Sequence, residues 1–318
     1  MTRLPVIVGF GGYNAAGRSS FHHGFRRTVI ESLDSKTRQE TLAGLGVMTQ
    51  LLTVDDEGFV GQNGESLTLE QIEENYAKSI MDATLVRRID KTTFDVDKLD
   101  LSVKSAGQLP SGFDLAELYP SRFHPRGLQM SIIGGSDALH SMGIPWETVI
   151  AAVRPDEISV HSGSAMGQLD SNGLGGTLQA RLRGRRASAK QLPFGLNTMP
   201  ADFINAYVLG SVGTTGSVSG ACATFLYNLK AAVEEIQSGK CRVAFVGNSE
   251  APITPEIIEG YSAMSALGTW QGLKKIEGNE TPNCRRASRP FGQNCGFTLA
   301  ESVQYVILMD DKLAVELG

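Results

Sequence analysis

Apolar residues following Cys222 fall at Phe225, Leu226, Leu229, Ala232, Val233 and Ile236, while Lys230, Glu234 and Glu235 fall on the opposite side. That spacing predicts an amphipathic helix, ended by Ser238-Gly239. The continuous run Arg242-Val243-Ala244-Phe245-Val246-Gly247 predicts a buried strand, and Val303 to Met309 predicts a final one. Near the start, Leu4 to Phe10 reads as a short buried strand running into a glycine turn at Gly11-Gly12. From Arg26 to about Asp90 the chain reads as mostly helical and polar. There Thr68 and Gln71 have capping-box spacing, and Leu69, Ile72, Tyr76 and Ile80 line one helix face. Leu101 to Arg126 has little regular pattern and carries Pro110, Gly112, Pro120 and Pro125. Asp137 to Met142 reads as helix, and Pro145 suits the first turn of the next one, with Trp146, Val149 and Ile150 following. Glu157 to Ser164 predicts a strand entering a small-residue turn. Leu192-Pro193-Phe194-Gly195 leads into a helix carrying Asp202, Ile204, Tyr207 and Val208. Strand, sharp turn, helix and strand around Cys222 make a βαβ unit, so the predicted fold class is α/β.

Composition narrows the function classes. A chain of 318 residues, 41% hydrophobic and 20% charged, has room for one large domain or two smaller ones. A net charge of −5 argues against nucleic acid as the partner of the whole surface. The exception is local: Arg181, Arg183, Arg185, Arg186 and Lys190 concentrate positive charge within ten residues, either as a solvated loop or as a docking patch for an acidic partner. No run is long enough to span a membrane, and Met1 to Pro5 lacks the apolar core of a signal peptide, so a cytoplasmic protein is expected. Cys222, Cys241, Cys284 and Cys295 show no CxxC spacing, which points to a reducing compartment and no zinc site. His22-His23 has no further ligand type at metal-binding spacing and reads as an exposed pair. Asn14 stands where a GxGxxG motif needs its last glycine, so Gly9 to Gly12 is no dinucleotide fingerprint.

The candidate chemistry lies in Thr215-Gly216-Ser217-Val218-Ser219-Gly220-Ala221-Cys222-Ala223-Thr224. Small residues carry the chain to one cysteine at a predicted helix start. Unpaired amides and the positive end of the helix dipole there favour a thiolate and an oxyanion. A buried space-filling cysteine is the bland alternative. Glu250-Ala251-Pro252 follows a strand end, where open α/β sheets place binding residues, and Gly260 to Leu267 is small enough for a pocket wall.

Ser219 to Thr224 resembles the active-site cysteine motif of the β-ketoacyl-acyl-carrier-protein synthases, the elongating type of the thiolase-like superfamily. Further matches come in order: Asn248-Ser249-Glu250-Ala251 at a Gly-Thr-Glu-Ala type turn, Gly260 to Leu267, and Ser288 to Phe291 with Gly296-Phe297 and Glu301. The matched region runs from about Ser159 to Asp310, with Val6 to Gly12 as the family's first strand. Extra N-terminal sequence is similar to that of long bacterial synthases, some of which start fatty-acid chains from acetyl-CoA.

The resemblance implies a layered αβαβα fold, a homodimer, and decarboxylative Claisen condensation with malonyl-carrier protein through an acyl-cysteine on Cys222. It implies the Cys222 amide as an oxyanion donor and Met264, Phe291 and Phe297 at the substrate pocket. It also makes an acidic acyl carrier protein the partner for Arg181 to Lys190. No cofactor or metal is implied, because substrates arrive on the phosphopantetheine of carrier protein or CoA. The family's two histidines follow its cysteine, whereas no histidine follows His161 here. Gly292 and Cys295 stand where acidic residues are usual. The expected organisation is a first strand and turn at 1–25, a helical or irregular elaboration at 26–130 and the first βαβαβ half at 131–318. The C-terminal half lies outside the chain, which alone is expected not to condense. A thiolase, or the non-catalytic half of a heterodimer, is the competing reading.

Overall fold

The computed structural model describes residues 3–15, 17–19, 34–48, 51–56, 58–83, 87–88, 101–109, 115–289 and 292–318. The chain divides into two compact units. Met1–Tyr13, Asp114–Pro252 and Ser302–Gly318 form the first, and Asn14–Phe113 with Ile253–Glu301 the second. His22 and His23 lie outside the described residues.

The first unit is built on a mixed sheet. Its strands are β1 (Pro5–Asn14), β2 (Ile158–Gly163), β3 (Thr215–Gly216), β4 (Val243–Glu250) and β5 (Ser302–Asp310). Their order across the sheet is β1-β5-β4-β2-β3. β4 runs parallel to β2 in register Val246↔His161 and antiparallel to β5 in register Val246↔Val306. β3 runs parallel to β2.

Side chains alternate along β4 and so sort into two layers. Ala244 and Val246 pack with Ala232, Ile236 and Leu308, beneath the helix α3 (Thr224–Gln237). On the other face Phe245 meets Trp146 and Tyr305, and Ser249 donates to the Gly127 carbonyl of α1 (Arg126–Ser141) at 2.6 Å. β4 is buried on both faces, which explains its unbroken apolar run.

Several expectations change here. β1 continues through Gly11-Gly12 rather than turning at them, and it is the glycines that are buried, while Ile7 stays exposed. α1 lies almost directly on this strand. A Cβ at Gly9 would meet the Ala138 carbonyl at 2.9 Å, and one at Gly11 the Ala138 nitrogen at 2.4 Å. The Gly12 amide donates to Asp137 Oδ2 at 2.9 Å. The glycines therefore serve helix approach. α1 itself begins eleven residues before Asp137, because Ser131, Gly134 and Gly135 interrupt its apolar stripe. Gly134 and Gly135 admit the side chains of Val303 and Ile204 to that stripe. The helix carrying Asp202 is α2 (Met199–Ile204), continued by a π turn through Leu209.

The second unit is less purely helical than its polar composition predicts. Helices Ser35–Met48 and Leu69–Ala83 flank a three-stranded antiparallel sheet of Leu52–Asp55, Gly58–Gly61 and Ser66–Leu67. They enclose a core of their own in which Leu42, Leu45, Leu52, Leu67, Ile72 and Ile80 are buried. The capping box at Thr68 and Gln71 is present in both directions, at 2.9 and 3.2 Å. Downstream, Pro255–Ala263 is helical with Thr254 as its N-cap, so only the second part of Gly260 to Leu267 is loop.

Candidate active site

Cys222 is exposed, at the centre of a single 3-10 turn, Ala221–Ala223, that runs directly into the 14-residue helix α3. The turn is tight. Ala221 has φ +49°, a left-handed conformation that costs a non-glycine residue about 1–3 kcal/mol. Such strain persists only where neighbours over-determine the backbone. Thr224, fully buried, receives the Gly220 amide on Oγ1 at 3.0 Å and donates to the Ala221 carbonyl at 2.7 Å. Asn228, one turn further along α3 and also fully buried, receives the Val218 amide on Oδ1 at 2.8 Å and donates to Ser217 Oγ at 3.1 Å. Gly220 has no side chain because the Tyr227 ring covers it; a Cβ there would sit 2.0 Å from that ring. The Ala223 amide is taken by the Gly220 carbonyl at 2.9 Å, and the Cys222 amide is the oxyanion donor that the family resemblance implies.

The neighbouring strand ends are pinned by a carboxylate. Glu250, at the end of β4, accepts from Ser164 Oγ at 3.0 Å, from Asn248 Nδ2 at 2.8 Å and from the Ala165 amide. Burial raises its pKa, and those donors only partly offset this. Asn197 holds the same loop through the carbonyls of Ser164 and Ala165, at 2.9 and 3.0 Å. Glu250 thus fastens the loop after β2 to the end of β4.

His161 and His124 are committed elsewhere, and His140 is exposed in the last turn of α1. His161 Nε2 lies 3.0 Å from Glu235, which also pairs with Lys240. Burial alone would raise the Glu235 carboxyl, but hydrogen bonds from Lys240 and His161 outweigh it and hold the pKa low. Glu235 is thirteen residues beyond Cys222 on α3, roughly 20 Å along the axis at about 1.5 Å per residue. His124 is ringed by Tyr119, Phe194, Phe203 and Tyr207, the closest centroid at 4.9 Å, and its Nδ1 is 3.1 Å from Tyr119 Oη. Burial, then the charge of Lys190, lowers its pKa. Among the described residues no cluster of His, Cys, Asp or Glu could hold a metal ion.

Of the residues singled out from the sequence, Cys222 and the basic cluster lie in the first unit, and Met264 and Phe297 in the second. Phe291 lies outside the described residues. Met264 is 71% exposed and precedes Ser265, which has φ +56°. The Phe297 ring meets Tyr261 edge-on at 5.5 Å, and its backbone bridges to Leu267. Phe297 also lines a cavity of about 370 Å³ with Ala266, Ser288, Arg289, Asn294 and Gly296. Arg181, Arg183, Arg185, Arg186 and Lys190 are all exposed, and Leu182 among them is 88% exposed. Lys190 and Arg122 both lie over the exposed Phe123 ring, at 5.9 and 5.4 Å. Thr224 and Asn228 escape a reading for chemistry-bearing residues. The available signal is a polar residue on the buried stripe of an otherwise amphipathic helix.

A helix on each face of a mixed sheet, with a cysteine turn opening one of them, makes this an α/β protein, and its likeness to solved ketosynthases gives the fold as thiolase-like. Residues 67–314 match the family model for the N-terminal domain of β-ketoacyl synthases, and the chain belongs to that family. It is 55% identical over 377 aligned residues to the β-ketoacyl-acyl-carrier-protein synthase FabY of Pseudomonas aeruginosa, an alignment covering 100% of this chain and 60% of the relative. The crystal structure of the noncanonical ketosynthase FabY from P. aeruginosa superposes with a TM-score of 0.86 at 54% identity, covering 99% of this chain and 59% of that one. A β-ketoacyl synthase from Burkholderia phymatum shares the fold at 18% identity, with a TM-score of 0.63. The chain therefore spans about three fifths of the length of the FabY relative.

Proposed function

We propose that this chain carries the nucleophile of a β-ketoacyl-acyl-carrier-protein synthase of fatty-acid biosynthesis, with Cys222 as the residue that accepts the acyl group. One observation carries the reading. In a member of this family, Cys222 is exposed on a strained turn, and the backbone leading into it is clamped by two buried side chains, Thr224 and Asn228. The Cys222 sulfur attacks the carbonyl carbon of an acyl thioester. A carbon–sulfur bond forms, the carbonyl oxygen takes up charge opposite the Cys222 amide, and the phosphopantetheine thiol leaves with the proton. A second carrier then delivers malonyl, which loses carbon dioxide, and the resulting enolate attacks the acyl carbon; a carbon–carbon bond forms, the bond to the Cys222 sulfur breaks, and the sulfur leaves as the thiolate while the 3-ketoacyl product stays on the second carrier. His161 and His124, held by Glu235 and the aromatic ring, are assigned no part in that step.

The exposed cationic loop from Arg181 to Lys190 suits an acidic acyl carrier protein by charge. A related reading, a non-catalytic half that only shapes a pocket, is disfavoured by the exposure of Cys222. The homodimer and the acetyl-CoA primer belong to this proposal and follow from the family alone.

The test is product formation in the native protein from an acyl donor and malonyl-carrier protein. A 3-ketoacyl product that disappears on Cys222→Ala supports the assignment, and product formation that survives the substitution ends it. Reversing Arg183 and Arg186 to Glu should raise the KM for carrier protein several-fold at low salt and leave kcat nearly unchanged. An unchanged KM would separate the loop from docking.

A further inference from the structure

Side chains of the helix that follows Cys222 hold the Ser217 hydroxyl, the Val218 and Gly220 amides and the Ala221 carbonyl on its approach, and Asn228 stands out among them. It belongs to the row Thr224, Asn228, Ala232, which faces inward along α3, and all three are fully buried. A buried amide at this position needs its partners. It finds them in the strand-to-turn segment, not in its own helix: Val218 N and Ser217 Oγ. Ser217 is itself wedged against the end of β2, where a Cβ at Gly163 would lie 2.2 Å from its Oγ. Thr224 clips the segment at Gly220 and Ala221, and Asn228 clips it at Ser217 and Val218. Ser219 and Gly220 separate the Asn228 anchor from the left-handed Ala221 and the exposed Cys222.

We propose that Asn228 is a positioning residue for Cys222: its amide fixes the Ser217–Val218 backbone against α3, and so sets the direction from which the sulfur meets an acyl carbonyl. The proposal rests on Cys222 being the nucleophile. Asn228 touches neither substrate nor sulfur. Its effect should therefore appear in orientation-dependent chemistry and be weak in orientation-tolerant chemistry. Acylation by a thioester demands an aligned approach and the amide beside the carbonyl oxygen, whereas alkylation by iodoacetamide demands only an accessible thiolate. Misplacement by about 1 Å can cost roughly a hundredfold in a step that needs alignment.

The experiment compares two rates at Cys222 in the native protein, acylation by octanoyl-CoA and alkylation by iodoacetamide, with the modified peptide identified by mass spectrometry. Asn228→Ala should lower the acylation rate at least tenfold and change alkylation less than threefold. Ser217→Ala, which removes only one of the two contacts, should fall between wild type and Asn228→Ala. Asn228→Asp, which keeps the acceptor for the Val218 amide, should recover part of the loss. Urea midpoints of each variant separate this from general loosening. A role confined to stability would move the midpoint and both rates together, and would overturn the proposal. Equal acylation rates in wild type and both alanine variants would also overturn it. Failure of wild-type Cys222 to acylate at all would instead strike at the nucleophile assignment.

Discussion

At the residue scale, Ala221 concentrates the cost of the site. Its left-handed backbone is opposed by the Cβ it carries, and a β-branched side chain would oppose it far more. Ala221→Val is expected to destabilise the protein by about 1–3 kcal/mol and to lower the reactivity of Cys222, read by urea unfolding and alkylation rate. Ala221→Gly should be neutral to mildly stabilising, by up to about 1 kcal/mol. The cysteine and its helix were legible in the sequence, because the apolar spacing from Phe225 to Ile236 and the small residues before it are local signals. The strain was not. Nothing in Gly-Ala-Cys-Ala declares which residue takes the positive φ, since that follows from the clips at Thr224 and Asn228.

At the element scale, the contact between β1 and α1 has no slack. A methyl group at Gly11 would lie 2.4 Å from the Ala138 backbone nitrogen, so Gly11→Ala must displace the helix or the strand. Overpacking of this kind typically costs about 1–3 kcal/mol and sometimes more, and a lowered thermal midpoint should report it. An unchanged midpoint would show that α1 can slide. The sequence marked these glycines as a turn because a glycine cluster ending an apolar run is a turn signal, while helix approach is a long-range property. Conversely, the capping box at Thr68 and Gln71 is wholly local and was legible. Thr68→Ala should cost about 0.5–2 kcal/mol of stability. The hairpin before it was missed because Leu51 to Gly61 alternates only weakly and sits between polar helices.

At the scale of the whole molecule, buried carboxylates set the acid side of stability. Asp310, fully buried, caps the last helix through the Leu313 amide at 2.9 Å and pairs with Arg242 at 2.8 Å. Burial alone would raise its pKa, but Arg242 and the Leu313 amide outweigh it and hold the carboxyl below its ordinary value. A depressed folded pKa gives stability that is present above the ordinary carboxylate range, near pH 4, and lost as pH falls through the folded value. Glu235, also lowered, acts in the same sense. Glu250 acts in the opposite sense, because its raised pKa gives stability that is full at low pH and declines as pH rises past the ordinary value. Asp310→Asn should therefore cost about 3–5 kcal/mol at pH 7 and progressively less below about pH 4, in urea titrations across pH. A cost independent of pH would contradict the linkage.

The α/β class was legible because βαβ order is written in short-range periodicity, whereas the layered arrangement was implied only by the family resemblance. The interleaving of the two units was not legible, since residues 253–301 belong with 14–113 only through pairings such as Gly107 with Ala300. The central claim is that the sulfur on the clamped turn is the acyl acceptor. Peptide mapping of the protein after brief exposure to a limiting acyl thioester tests it most directly. The account predicts a single thioester adduct, on Cys222, that hydroxylamine removes and that is absent from Cys241, Cys284 and Cys295. An adduct spread across the four cysteines, or one found elsewhere with Cys222 unmodified, would contradict it.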